Sequence, residues 1–235
     1  MSFGLQFINS SSVNQIDEST SYCLGFKSKG TITSWTSDAI ANAYTATITV
    51  TGDTPMVALY VEPNVYPENP QTIAGIASAT KSGSTWTIKI AKSDVESRYV
   101  EYYVFDRPAN LTSGFGIMIY DSSGNPVFNG SENLAPVVTA LDWGVSASTG
   151  VIQAGHKYAF VSTFDAIYQE NSTESGTEYI ITSRGFRTPS NAVAANAFTN
   201  EFGSGSPGYP TSSLITDASG GDFRGAAMVV DVTGL

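Results

Sequence analysis

The 235-residue chain has one cysteine, one histidine, and 11 Lys+Arg against 21 Asp+Glu, a net charge of −10. With Cys23 alone, no intrachain disulfide can form, so stability rests on packing, strand pairing or partners, as suits a reducing compartment. With His156 alone, neither a His-rich metal site nor a pair of acid/base histidines exists. Charged residues make up only 14%, against about 25% in an ordinary domain, which leaves too few Glu, Lys and Arg for long surface helices. Lys and Arg form no cluster, which argues against nucleic acid and anionic membranes as partners, since phosphate surfaces need cations gathered on one face. No apolar run approaches the ~18 residues that span a bilayer. Residues 1–10 have neither a basic n-region nor an uninterrupted apolar stretch, so the chain reads as one not exported by the Sec route.

What is present is β-branched and aromatic residues in alternation, punctuated by Gly, Asn, Asp and Pro, the pattern of an all-β protein. In Ala43–Val50, residues Tyr44, Ala46, Ile48 and Val50 share one face and Thr45, Thr47 and Thr49 the other, which predicts a half-buried strand. Met56–Val61 is a continuous apolar run and reads as a central strand. Trp86–Ile90, Tyr99–Phe105, Lys157–Phe164, Glu178–Phe186 and Ala226–Val232 predict further strands. Ser190–Phe198 has the Ala content for one or two helical turns, and Gly203–Pro210 reads as an irregular loop. The length accommodates two β-sandwich-like halves of antiparallel strands and hairpins: an N-terminal domain, 1–112, and a C-terminal β domain, 113–235, carrying the long Gly/Pro-rich loop.

An internal repeat is visible. Phe3–Ser12 aligns with Phe115–Gly124 at an offset of 112, and Ile16 then falls on Phe128. Each copy predicts a strand, an Asx-rich turn and a short return strand, with Gly124 supplying the positive φ that such connections require.

At these residues the chain resembles a family of tail proteins from long-tailed bacteriophages. Members carry an aromatic-Gly-Leu segment just after the initiator Met and a second aromatic-Gly-hydrophobic segment, running through Tyr-Asp to Val-Phe, near the middle. The matching residues are Phe3, Gly4, Leu5, Phe7 and Asn9, then Phe115, Gly116, Ile117, Ile119, Tyr120, Asp121, Gly124, Val127 and Phe128. Ser12 stands where Gly is usual in the first copy. The resemblance is loose over the first ~140 residues and implies a structural virion protein at the tail tip or fibre, assembled in the host cytoplasm. Other tail proteins and copies of itself, a trimer favoured, are the implied partners, with a host-surface glycan or receptor beyond them. Decoration of the capsid and a carbohydrate-binding adhesin are the alternative readings.

No residue set presses for catalysis. His156 sits at the start of a predicted strand and Cys23 among apolar neighbours, where a free thiol behaves as a small hydrophobe. Asp165, Glu170, Glu174 and Glu178 form the densest acidic set, a candidate pair for glycoside cleavage. The pattern places them on a loop, where acids ordinarily mark a solvated edge. Asp121–Asn125 lacks the ligands of an EF-hand loop, and no Gly-rich phosphate loop precedes a helix. The expectation is therefore no enzyme activity, no cofactor and no metal. Binding is assigned to aromatic loops, with Tyr66, Trp143, Tyr168 and Tyr209 as candidate contact residues.

Overall fold

The computed structural model describes residues 7–8, 14–16, 23–38, 43–63, 72–93, 99–110, 116–142, 152–161, 165–173, 176–188, 193–204, 215–216 and 226–235. All regular structure among them is β. The strands are β1 (Phe7–Ile8), β2 (Asn14–Ile16), β3 (Gly25–Ile32), β4 (Thr36–Asp38), β5 (Ala43–Thr51), β6 (Met56–Val61), β7 (Ala74–Ser82), β8 (Thr85–Lys92) and β9 (Val100–Asp106). They continue as β10 (Met118–Tyr120), β11 (Pro126–Asn129), β12 (Val137–Asp142), β13 (Tyr158–Val161), β14 (Asp165–Thr173), β15 (Gly176–Arg187), β16 (Ala194–Ser204), β17 (Ile215–Thr216) and β18 (Ala226–Asp231).

Two large sheets face each other. One runs β12-β18-β13-β6-β9-β3, the other β17-β14-β15-β7-β8-β5-β4, with β16 paired to β15. Alternation explains the core between them. Ile48 and Val50 of β5 and Ile88 and Ile90 of β8 point inward from one sheet to meet Val57, Leu59 and Val61 of β6 and Val100 and Val104 of β9 from the other. The central strands β6 and β9 are buried on both faces: Ala58, Tyr103 and Phe105 join a second cluster on the outer side, where Phe26 meets Phe105 edge-on at 5.9 Å. That double burial is why Met56–Val61 reads as one apolar run.

Both sheets take strands from either side of residue 112. Phe160 of β13 pairs with Leu59 of β6, and Phe186 of β15 with Ala74 of β7. The division into 1–112 and 113–235 therefore does not separate two hydrogen-bonded units; one sandwich uses both segments. A second seam joins the sheets through Thr188, whose buried hydroxyl accepts from the Val61 N–H at 2.9 Å and donates to the Val61 carbonyl. Thr188→Val keeps the volume and strands both backbone groups, so unfolding in urea should show a loss of about 1–3 kcal/mol. A change within experimental error would mean that water replaces the hydroxyl.

Three expectations are corrected. Residues 194–198 are not helical but open β16, which pairs with β15 from Ala194↔Arg187 to Ser204↔Glu178. Ten cross-strand pairings outweigh the small helical preference of Ala. Gly203 and Ser204 end that strand rather than beginning a loop, while 205–210 lie outside the described residues. The acidic segment is likewise a β14–β15 hairpin, with Asp165 opposite Arg184 and Asn171 opposite Glu178.

The repeat survives at the level of hydrogen-bond register. β1 and β2 pair Phe7↔Ile16 and Ile8↔Asn14, with an irregularity between Phe7 and Ile8. β10 and β11 pair Ile119↔Phe128 and Tyr120↔Pro126, with an irregularity between Ile119 and Tyr120. Adding 112 to each residue of the first hairpin gives the second.

Candidate interaction surfaces

Three of the four aromatic candidates, Tyr66, Trp143 and Tyr209, lie outside the described residues. Tyr168 belongs to the interior of β14, opposite Ile181 of β15 and Thr216 of β17, and not to a loop. Of the acidic set, Asp165 and Glu170 are on β14, Glu178 is on β15, and Glu174 lies outside the described residues.

The second hairpin shows how its sequence makes a rigid turn. The Asp121 carboxylate accepts from the Ser123 and Asn125 N–H groups at 2.9 and 2.8 Å and from the Asn125 side-chain amide at 2.9 Å. Gly124 takes φ +81°, the left-handed region that glycine enters at no steric cost. The Asn125 side-chain amide is the main cause holding the Asp121 carboxyl below its ordinary value. These are turn-capping contacts, and no His/Cys/Asp/Glu cluster able to hold a metal occurs among the described residues. Ile117 and Tyr120 stay exposed at this hairpin, and Val137 and Val138 at β12.

On the outer face of the six-stranded sheet, Lys157 donates to Glu101 and lies over the Tyr60 ring at 4.1 Å, while the Tyr103 hydroxyl donates to the same carboxylate. Lys157, Glu101 and Tyr103 border a cavity of about 490 Å³ that Lys29 and Thr31 also line. Burial, followed by the neighbouring Tyr99, Glu101 and Glu62, pushes Tyr60 up to about 12. Tyr103 is raised as well, by burial and by its bond to Glu101. Both phenols are therefore neutral at physiological pH, and the cluster is a polar clasp that joins β9 to β6 and to the start of β13.

His156 meets Asp231 at 2.5 Å (Nδ1 to Oδ2), and the Thr233 N–H donates to the other carboxylate oxygen at 3.0 Å. The pair links the start of β13 to the end of β18, and among the described residues no serine hydroxyl bonds the ring. Burial alone would raise the Asp231 carboxyl; hydrogen bonds from Thr233 and His156 outweigh it and lower it from 3.8. A carboxyl lowered on folding stabilises the native state above its unfolded pKa and loses that contribution as pH falls through the folded one. Asp231→Asn should therefore flatten the acid limb of a stability–pH curve below about pH 4. An unchanged acid limb would contradict this. Cys23 is half-buried and burial raises its thiol pKa, the opposite of an activated nucleophile.

The feature missed in the sequence lies where the sandwich opens sideways. β3 and β4 are the outermost strands at this end of their sheets. A cleft of about 490 Å³ lies between them and β5, lined by seven Thr or Ser hydroxyls, Ile32, Ala46, Ile48 and Tyr102, with no charged residue. Tyr102 is fixed as its wall by Gly30 directly opposite: a Cβ there would stand 2.3 Å from the phenol oxygen, so only glycine lets the ring lie across the strand. The signal that could have found it is the uncharged Thr/apolar alternation of β5 itself.

The class defined by this geometry is an all-β, sandwich-like protein. No family model, curated protein or solved structure matches the chain.

Proposed function

We propose that this protein is a structural component of the tail of a long-tailed bacteriophage, at the tail tip or fibre, acting by assembly with other tail chains and with copies of itself rather than by turnover. The supporting observation is the repeat: within the two segments that carry the family resemblance, the described strands pair in the same register with the irregularity at the same step. Two short hairpins of one design offer two equivalent contacts for repeated neighbours, and a two-stranded hairpin needs cover to be stable. The exposed Ile117 and Tyr120 supply apolar area for that cover. Host attachment through a surface glycan belongs to the same reading, at the distal end of such a tail.

Electron microscopy of phage particles labelled with an antibody against this protein tests the proposal. Label on the tail is expected. Label on the capsid would mean decoration, and unlabelled particles from a lysate that contains the protein would remove the virion assignment.

A further inference from the structure

We propose that the edge of β5 from Ala46 to Thr51, which no described residue pairs, is a docking seat for one extended, uncharged segment of another polypeptide, which adds antiparallel to β5 in line with β4. The seat is a property of the sheet edge and does not depend on the tail assignment.

The direction of the backbone groups decides which residues carry it. The Gly52 N–H donates to the Ser84 carbonyl at 2.8 Å, and the β5–β8 ladder continues from Thr51↔Thr85 to Tyr44↔Lys92 without a register shift. In an antiparallel ladder, successive residues direct their N–H and C=O groups to opposite sides. Val50, Ile48 and Ala46 therefore bond β8, and Thr51, Thr49 and Thr47 direct theirs away from it. β4 takes up the same side only from Thr45 to Ala43, because the chain leaves through Thr33–Trp35 to join β3 in the other sheet. Among the described residues no strand pairs the edge beyond Thr45.

Sheet edges that must stay solitary carry charges, prolines or bulges. β3 has Lys27, Lys29 and a register shift between Phe26 and Ser28, and β12 has a shift between Val137 and Thr139. β5 has none of these. An edge so made is built to be paired.

The cleft says what pairs. β3 and Tyr102 wall its far side, so a segment seated there lies between β5 and β3. An uncharged lining offers a buried ionic side chain no partner, and unpaired burial of charge is costly. The hydroxyl rim accepts small polar side chains, while Ile32 and Ile48 offer contact to apolar ones. β4 is the precedent, an antiparallel strand already seated on the same edge.

Amide hydrogen exchange read by NMR tests this on the full chain. In the free protein the Thr47 and Thr49 amides should exchange fast while Ala46, Ile48 and Val50 are protected. A capped peptide with the sequence of residues 45–51 serves as the probe and should slow Thr47 and Thr49 at least ~10-fold. Thr49→Pro removes one edge N–H and leaves the β5–β8 ladder intact, as proline does on an edge. Its cross-peaks from β6 and β9 should match wild type, while its affinity for the peptide should fall at least ~10-fold. Thr47→Lys should weaken binding too, and Thr87→Lys, on the same outer face but one strand inward on β8, should not. An inert peptide, or Thr49→Pro binding as wild type does, overturns the proposal. So does concentration-dependent protection of Thr47 and Thr49 without peptide, which would make a second copy the occupant. Protection by a neutral oligosaccharide with the peptide inert would make the cleft a glycan site, and equally overturns it.

Discussion

Phe160→Ala is expected to lower the unfolding free energy by about 3–5 kcal/mol, the cost of removing a large ring from a core that cannot collapse around the gap. Phe160 is fully buried and holds three partners at once. Its backbone pairs with Leu59 and Val229 within one sheet, and its ring meets Phe186 of the other at a centroid distance of 5.5 Å. Strands from both halves of the chain thus converge on one side chain. Urea unfolding should show a lower midpoint with the slope unchanged, as befits lost stability without a change in the surface exposed. The paired variant Phe160→Ala/Phe186→Ala should cost less than the two single losses added together, by about 0.5–1.5 kcal/mol, since the aromatic contact is lost only once. Strict additivity would show that the rings do not couple.

Asp106→Ala should cost about 3 kcal/mol, because hydrogen bonds to a charged acceptor are worth more than neutral ones and three of them end on this one buried carboxylate. The Asp106 carboxylate is 5% exposed and accepts from the N–H groups of Asp53 (2.8 Å), Thr54 (3.1 Å) and Arg107 (2.7 Å). It thereby pins the β5–β6 turn to the end of β9. Gly52 leaves the space for it, as a Cβ there would stand 2.0 Å from the carboxylate oxygen. Asp106→Asn, which keeps one acceptor and loses the charge, should fall between wild type and Ala. Equal losses for Asn and Ala would locate the effect in charge alone. Because the same turn carries Gly52, whose N–H sets the phase of the β5–β8 ladder, Asp106→Ala should also speed amide exchange at Val50.

Local chemistry made some of this architecture legible. The Thr/apolar alternation of β5 and the apolar run of β6 mark which faces are buried, and the structure buries Ile48 and Val50 and exposes Thr47 and Thr49 accordingly, while Thr45, paired with Thr36 of β4, is buried against that pattern. The hairpin at 118–129 follows from Asp121 and Gly124, whose preferences act within a few residues. β3 escaped notice because an edge strand is buried mainly at its ends; Lys27, Ser28 and Lys29 between them face solvent and break the alternation. β7 escaped because Ala77, Ser78, Ala79 and Thr80 are exposed and carry no apolar signal. β16 was misread because Ala favours a helix locally while β15 supplies pairings that local preference does not contain. The joining of the two halves is a still more distant matter: Leu59 and Phe160 each look like ordinary core residues, and nothing in either neighbourhood names the other. The seat on β5 needed both the alternation, which was visible, and the shortness of β4, which was not.

The two sheets, each drawing on both halves of the chain, make one cooperative sandwich around Phe160 and Leu59. Native-state hydrogen exchange across a series of low urea concentrations measures this directly. Amides of β6 and β9 and those of β13 and β18 should merge onto a single opening free energy with a single urea dependence. Two separate limits, one for strands before residue 112 and another for strands after it, would contradict it.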